Sequence, residues 1–136
     1  MKDADRRLAI ESLARAPYAA RLRLKILTAE NGEAIAKLPF SENILNDGGS
    51  DVPIHGGAIA SLVDFAACAA VWSLPETQRS MTISMTVNFT GPGIKSDLTA
   101  RATVRRKGKR VASLSVEIRD DVDALIADAL VTYKIA

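Results

Sequence analysis

Apolar and charged residues follow two different spacings near the start of the chain. Over residues 3–15 the apolar positions recur at roughly helical spacing among charges, which predicts a short amphipathic helix. Pro17 limits the continuation of that helix. Apolar and charged residues then alternate over residues 20–27, which predicts a half-buried strand. Asn31-Gly32 is a strong turn signal, so we expect residues 33–40 to return as the second arm of a hairpin.

A long apolar segment, residues 55–74, follows a loop rich in Gly, Asp and Asn over residues 41–54. Its sequence is HGGAIASLVDFAACAAVWSL, and its apolar residues surround the helix axis instead of covering one face. This predicts a helix of about 16–18 residues, buried on most sides, that ends at Leu74-Pro75. Asp64 is the only carboxylate in the segment. Because a buried ionised carboxylate is costly unless it is paired or functional, Asp64 is the first candidate for chemistry.

Four further segments have the alternation that is typical of strands. Residues 81–89 alternate without a break, with apolar side chains on one face and polar ones, among them Thr82, on the other. Residues 98–105, 111–119 and 125–135 are the other three segments. The order of helix, two strands, long helix and four strands predicts an α+β domain with an antiparallel sheet. The predicted turns between the last strands are Gly91-Pro92-Gly93, Lys107-Gly108 and Asp120-Asp121.

Composition and charge narrow the class of protein. The chain has 136 residues, the size of one ordinary domain, and is 48% hydrophobic and 25% charged, as is usual for a globular protein. Its net charge of +2 gives no global attraction to nucleic acid or membrane, and its longest apolar run is too short to span a bilayer. A single cysteine cannot form an intrachain disulfide, and the early mixture of charge signs is unlike a signal peptide. We therefore expect a reduced, cytoplasmic protein.

The long helix and the strand after it have matches in a known family. The matching residues are His55-Gly56-Gly57, Leu62, Asp64, Ala66 and Ala70, and then Thr82–Phe89 followed by Gly91-Pro92-Gly93. With these residues the chain resembles hotdog-fold acyl-CoA thioesterases of the phenylacetate-pathway, or 4-hydroxybenzoyl-CoA thioesterase-like, group. The resemblance implies a hotdog fold, in which an antiparallel sheet wraps around one long buried helix. We expect an N-terminal helical segment over residues 1–17 and the hotdog domain over residues 18–136.

The loop before the long helix departs from the family pattern. The family usually has an Asn six residues before the His, whereas the nearest one here, Asn46, lies nine residues before His55. The loop is therefore expected to be longer or rerouted, and the depth of the acyl pocket is expected to depend on residues 46–54.

Thioester hydrolysis needs one group that polarises the carbonyl and another that attacks it or activates water. Gly57, at the start of the helix, is expected to supply a free backbone N–H and, without a side chain, to allow close approach of a substrate oxygen. Asp64 is the expected general base or nucleophile. The two residues are seven positions apart, so they lie on nearly the same helix face but roughly 10 Å apart along the axis. This spacing predicts a site shared by two antiparallel helices across a dimer, as the resemblance also implies.

Four neighbouring residues are further candidates for the site. His55 is a candidate general base, or a residue that orients the loop, and Gly56 beside it is a candidate for substrate binding. Thr82 matches the family position of a Ser or Thr that helps to hold the attacking water, although a solvent-facing strand threonine would have the same pattern. Ser61, one turn before Asp64, is either a hydrogen-bonding partner near it or a small packing residue.

A basic turn carries five positive charges in six residues. Arg and Lys side chains suit the pyrophosphate and 3′-phosphate of coenzyme A, but a solvated hairpin that blocks edge pairing would have the same composition. No aromatic residues flank the run, so nucleic-acid binding is a weaker interpretation. The residues are Arg105, Arg106, Lys107, Lys109 and Arg110.

The leading hypothesis is an acyl-CoA thioesterase that works without a metal or redox cofactor, as a homodimer or a dimer of dimers. With one His and one Cys in the chain we expect no zinc site, and we expect Cys68 to be a core residue. The alternatives are a hotdog dehydratase or hydratase, a non-catalytic acyl-CoA binding or sensing module, and a structural dimerisation domain. The last two leave Asp64 without a role. No nucleic-acid or membrane partner is expected.

Overall fold

Six antiparallel strands form one sheet that wraps around a long helix in this computed structural model, which describes residues 1–49 and 51–136. The helices are α1 (Asp3–Leu13), α2 (Pro17–Leu22) and α3 (Gly56–Trp72), with a 3₁₀ turn at Glu42–Ile44. The strands are β1 (Lys25–Glu30), β2 (Glu33–Leu38), β3 (Ser80–Phe89), β4 (Leu98–Lys107), β5 (Val111–Arg119) and β6 (Leu125–Ile135).

The strand order in the sheet is β1-β2-β4-β5-β6-β3, and every neighbouring pair is antiparallel. β1 and β3 are therefore the two edges of the sheet. α3 lies on the inner face, mainly across β2 and β4. This arrangement confirms the predicted α+β class and the hotdog fold.

Small side chains bring α3 close to the centre of the sheet. Because an alanine ends at its Cβ atom, a helix and a sheet that meet through alanines can approach closely without leaving voids. α3 is thus enclosed on most of its sides, as its all-round apolar sequence predicts. The fully buried alanines of α3 and of the two strands that it mainly crosses are Ala34 and Ala36 on β2, Ala100 and Ala102 on β4, and Ala66, Ala67, Ala69 and Ala70 on α3.

The strand predicted over residues 20–27 is wrong in its first half. Residues Pro17–Leu22 form a helix, in which Pro17 occupies the first turn, where its missing N–H needs no partner. Arg23 follows with a φ of 59° and ends the helix in the left-handed conformation. The strand begins only at Lys25. The hairpin turn is confirmed, since Asn31 and Gly32 have φ angles of 51° and 82° and join β1 to β2.

The unbroken alternation predicted for residues 81–89 is also wrong. The pairing of β3 with β6 shifts between Thr82 and Ser84, so Ile83 is an extra residue in a β-bulge. Met81 and Ile83 are 67% and 55% exposed on the outer side. Thr82 instead shares the inner, helix-facing side of the strand with Met85, although the sequence predicts opposite faces.

The remaining boundaries follow the predictions closely. β5 and β6 match them, and β4 extends two residues beyond residue 105, to Lys107, with an irregular register between Val104 and Arg106. The loop over residues 41–54 contains the 3₁₀ turn and is closed by an isolated bridge between Leu45 and Ile54. Ser50, in the same loop, lies outside the described residues.

α1 is attached to the C-terminal end of α3 by a buried guanidinium. Arg6 donates hydrogen bonds to the carbonyl oxygens of Trp72 (3.0 Å), Thr77 (2.8 Å) and Pro75. A cation at this position satisfies carbonyls that the end of a helix leaves without partners. Within residues 1–49 and 51–136, no helix combines the length and the apolar character needed to cross a membrane.

Candidate active site

Asp64 lies in the middle of α3 and receives two hydroxyl donors from the sheet. Thr82 Oγ1 donates to Asp64 Oδ1 at 2.7 Å, and the hydroxyl of Tyr133 donates to the same oxygen at 2.6 Å. The Tyr133 hydroxyl also lies 3.1 Å from the backbone carbonyl oxygen of Asp64. The carboxylate that stands alone in the sequence is therefore held by two side chains that are distant along the chain.

The register of the sheet brings these two donors together. Thr82 on β3 is paired directly with Tyr133 on β6, and both side chains lie on the inner face. The sequence predictions include Thr82 but miss Tyr133. The available signal was a tyrosine at an inward position of an alternating strand, because a buried tyrosine hydroxyl usually has a hydrogen-bond partner.

Burial fixes the protonation of the two weak acids beside Asp64. Desolvation raises the pKa of the Tyr133 phenol far above its usual value of 10.0, and the nearby Cys68 and Asp64 raise it further. Tyr133 therefore remains a hydrogen-bond donor at any physiological pH. Burial also raises the pKa of the Cys68 thiol above 9.0, which opposes formation of the nucleophilic thiolate. Cys68 Sγ lies 3.9 Å from Ser80 Oγ.

A cavity of about 310 Å³ opens beside Asp64. One wall is formed by Phe65 and Cys68 of α3, and another by Leu13 and Tyr18 of the N-terminal helical region. Strand β3 and Tyr133 complete the lining. The described residues of the loop 46–54 do not line this cavity, and the expectation that this loop sets the depth of the acyl pocket stays a prediction.

The N-terminus of α3 is capped by its own histidine. His55 Nδ1 accepts a hydrogen bond of 2.8 Å from the backbone N–H of Gly57. The expectation that this N–H is free is therefore wrong in this structure, since a side-chain acceptor at the N-cap commonly occupies it. A Cβ atom on Gly57 would lie 2.9 Å from His55 Nδ1, and one on Gly56 would lie 3.4 Å from the Phe89 ring. Both glycines thus lie in contact with aromatic rings at the helix start.

Ser61 faces the cavity but does not bond to Asp64. Its hydroxyl donates to the carbonyl oxygen of Gly57 at 2.8 Å and lies 2.8 Å from the hydroxyl of Tyr18. The pair formed by Ser61 and Tyr18 joins the N-terminal region to α3 at the cavity wall. Asn46, whose role the sequence left open, donates its backbone N–H to the carbonyl oxygen of Pro53 at 3.0 Å and helps to close the loop.

The five basic side chains of the β4–β5 hairpin point to three different places. Arg105 Nε donates to Ser115 Oγ at 2.9 Å, and Lys107 Nζ lies 3.5 Å from Glu76. Arg106, Lys109 and Arg110 line a separate open pocket of about 480 Å³ at the hairpin tip. In the part of the chain that the structure describes, none of the five lines the cavity beside Asp64. No three His, Cys, Asp or Glu side chains within that same part are close enough to hold a metal ion.

Comparisons with known proteins agree on one family. The family model of the thioesterase superfamily matches residues 54–127, a range that contains Gly57, Asp64 and Thr82. A putative esterase of Saccharolobus solfataricus is 29% identical over 114 residues, which are 84% of this chain and 79% of the relative. The acyl-coenzyme A thioesterase PaaI of Escherichia coli is 30% identical over 107 residues, which are 78% of this chain and 73% of the relative.

The fold is also found among solved structures. The structure of the PaaI protein from the phenylacetic acid degradation operon of E. coli superposes with a TM-score of 0.83 at 23% identity. The match covers 98% of this chain and 92% of the other. At this level of identity the likeness establishes the shared fold.

Proposed function

The chain belongs to the thioesterase superfamily, and on that premise we propose that it hydrolyses an acyl-CoA thioester to the free acid and coenzyme A. It is a thioester hydrolase of the PaaI-like group. The acyl-CoA substrate is supported by the relative that is named an acyl-coenzyme A thioesterase.

The observation that carries the proposal is the position of Asp64. Its carboxylate lies at the wall of a cavity and is held by Thr82 and Tyr133 from the sheet. Asp64 combines a cavity at its side with two hydroxyl donors to one carboxylate oxygen, in the middle of a helix that is otherwise apolar. Pockets for small molecules begin at about 300 Å³, which is close to the volume beside Asp64.

Asp64 has two routes to the products. As a general base, it takes a proton from a water molecule while the water oxygen bonds to the thioester carbon. The carbonyl oxygen becomes an oxyanion, the C–S bond then breaks, and the departing sulfur receives the proton from Asp64. As a nucleophile, the carboxylate instead forms a mixed anhydride as the thiolate leaves, and water then cleaves the anhydride.

Gly57 is the proposed donor to the developing oxyanion. Its N–H is at the positive end of α3, where backbone donors and the helix dipole favour negative charge. In the structure His55 Nδ1 occupies this N–H, so the substrate oxygen has to replace the ring nitrogen as acceptor. The His55 side chain is exposed, so it can turn into solvent when substrate binds. His55 therefore acts as an exchangeable cap in this proposal.

A second copy of the chain completes the site. Gly57 and Asp64 are separated by about 10 Å along α3, so one carbonyl cannot contact both within one chain. β3 is an edge strand of ten residues that carries the exposed side chains Met81 and Ile83. A long, apolar edge favours pairing with another strand. Antiparallel pairing of two β3 strands would bring the two α3 helices side by side and join Gly57 of one to Asp64 of the other.

The acyl group and coenzyme A have separate proposed sites. The cavity beside Asp64, with apolar walls such as Leu13 and Phe65, takes the acyl group. Its volume corresponds to about ten groups the size of a water or a methylene, so an aryl or medium-length chain fits it. The phosphates of coenzyme A are assigned to the hairpin tip, where Arg106, Lys109 and Arg110 gather.

Release of free thiol from a panel of acyl-CoAs tests the proposed function. The panel contains acetyl-, hexanoyl-, palmitoyl-, phenylacetyl- and hydroxybenzoyl-CoA. We expect turnover by the parent protein and a loss of about a hundredfold or more in Asp64→Asn, the range of general acid–base catalysis. Asp128→Asn, which removes a carboxylate from the outer face of β6, is the matched control and should remain active. Full activity of Asp64→Asn, or binding of acyl-CoA without turnover by the parent, would overturn the proposal.

A further inference from the structure

The two oxygens of the Asp64 carboxylate have different surroundings. Oδ1 accepts both hydroxyl hydrogen bonds, from Thr82 at 2.7 Å and from Tyr133 at 2.6 Å. Among the described residues no side chain or backbone group donates to Oδ2, and this oxygen is accessible to solvent. Since a donor withdraws electron density from the oxygen that accepts it, the lone pairs of Oδ2 are the more available ones.

Tyr133 is placed to control which oxygen is available. It is 2% exposed, so its ring cannot move away, and its raised pKa keeps the hydroxyl protonated. Thr82 is its direct neighbour across the β3–β6 ladder. The two donors therefore approach one oxygen from adjacent strands, while α3 fixes the backbone of Asp64 from the other side. Two hydrogen bonds to the same oxygen stop the carboxylate from rotating about its Cβ–Cγ bond.

We propose that Tyr133 is a positioning residue that, together with Thr82, holds Asp64 Oδ1 so that Oδ2 is the reacting oxygen. Oδ2 then takes the proton from water, or attacks the thioester carbon, while Oδ1 remains bound to both hydroxyls throughout. This inference rests on the proposed function, because it concerns the orientation of the group that performs the reaction. Accurate placement of a reacting atom is worth large factors in rate, since a displacement of 1 Å can cost about a hundredfold.

Tyr133→Phe tests the inference because it removes the hydroxyl and keeps the buried ring. We expect kcat to fall by about tenfold or more, with KM unchanged within about twofold, because the hydroxyl is bonded to Asp64 and phenylalanine keeps the ring in the cavity wall. Thr77→Val is the matched control for the loss of a buried hydroxyl. Thr77 is also 2% exposed and donates to the carbonyl oxygen of Val71 at 2.8 Å, at the far end of α3. The Thr77→Val variant should have a lower melting temperature than the parent protein and the same kcat.

The double variant Thr82→Val/Tyr133→Phe tests whether the two hydroxyls act together. Its kcat is compared with the kcat of each single variant. If both hydroxyls are needed to fix one oxygen, the double variant is only slightly slower than the slower single variant. Losses that multiply independently would overturn the inference, as would a Tyr133→Phe variant with the parent kcat. The same variants distinguish failure of this inference from failure of the proposed function. An active Asp64→Asn variant would overturn the proposed function. An inactive Asp64→Asn variant together with a fully active Tyr133→Phe variant would overturn only the role of Tyr133.

Discussion

Thr82 contacts Asp64 because the strand that carries it is irregular. Its hydroxyl lies 2.7 Å from Asp64 Oδ1. In a regular strand Thr82 would point away from the side shared by Met85, but the extra residue Ile83 places both on the inner face. Bulges frequently redirect a side chain next to an active site. The bulge in β3 thus brings the Thr82 hydroxyl to the carboxylate of the candidate site.

Replacement of Thr82 should separate the hydroxyl from the shape of the side chain. Thr82→Val keeps the branched shape and removes the donor to Asp64, so we expect kcat to fall by about tenfold. Thr82→Ser keeps the donor and should retain most of the activity. Acyl-CoA turnover at saturating substrate measures the difference. Equal kcat values for the valine and serine variants would show that the hydrogen bond has no role in the reaction.

The sequence predicts the fold well where a local pattern of residues is compatible with only one secondary structure. Asn31-Gly32 tolerates positive φ at both positions, so the β1–β2 turn is correctly predicted. The all-round apolar pattern of α3 likewise allows only a buried helix. Residues 20–24 are different, because a short alternating run fits a strand or the end of a helix equally well, and Pro17 starts a helix there.

The site is less predictable because its contacts depend on strand register. Asp64 is recognisable from its cost of burial, but the bulge at Ile83 leaves no trace in the alternating sequence. Tyr133 occupies an ordinary inward strand position, and only its pairing opposite Thr82 gives it access to Asp64. The capping of Gly57 by His55 likewise depends on the φ and ψ angles of His55, −58° and 134°, which the sequence does not specify.

The histidine cap should contribute measurably to stability. His55 Nδ1 satisfies one of the backbone donors that a helix N-terminus leaves unpaired. We expect His55→Ala to lower the free energy of unfolding by about 1 kcal/mol, and His55→Ser, which retains a capping oxygen, to lower it by much less. Urea denaturation at neutral pH measures both. Equal destabilisation by alanine and serine would mean that the cap does not stabilise α3.

The size of the cavity beside Asp64 should set the preferred acyl length. Cys68 lies in its wall, so Cys68→Leu fills part of the 310 Å³ while remaining apolar. We expect kcat/KM to fall for phenylacetyl- and hexanoyl-CoA and to stay near the parent value for acetyl-CoA. Cys68→Ala, which does not fill the cavity, is the control and should keep the parent preference. A uniform loss across all acyl groups in the leucine variant would place the acyl group elsewhere.

Asp97 should make stability depend on acid pH. The backbone N–H of Phe40 donates to its Oδ1 at 2.7 Å, and Lys37 lies 3.1 Å from its Oδ2. These contacts, the hydrogen bond first, lower the pKa of Asp97 below 3.8. A carboxylate whose pKa is lower in the folded state stabilises the fold above the unfolded value, and this contribution is lost as pH falls through the folded pKa.

Asp97→Asn keeps an acceptor for Phe40 and removes the charge. Because the Asp97 side chain is 42% exposed, we expect the Asp97→Asn substitution to lower the free energy of unfolding at pH 7 by less than about 1 kcal/mol. The difference from the parent protein should shrink as the pH falls from about 5 to about 3. Denaturation curves at three pH values measure this trend. A difference that stays constant over that range would show that the charge of Asp97 does not stabilise the fold.

Mixed dimers should reveal whether the site is shared between two chains. In the proposed mechanism Gly57→Val blocks the approach of the carbonyl oxygen to the helix start and Asp64→Asn removes the base, so we expect each variant alone to be inactive. In an equal mixture refolded together, about half of the dimers contain one chain of each kind, and each of these has one intact pair of Gly57 and Asp64 across the interface. We therefore expect recovery of about a quarter of the parent activity. If both residues acted within one chain, no mixed dimer would contain an intact site, and the mixture would stay inactive.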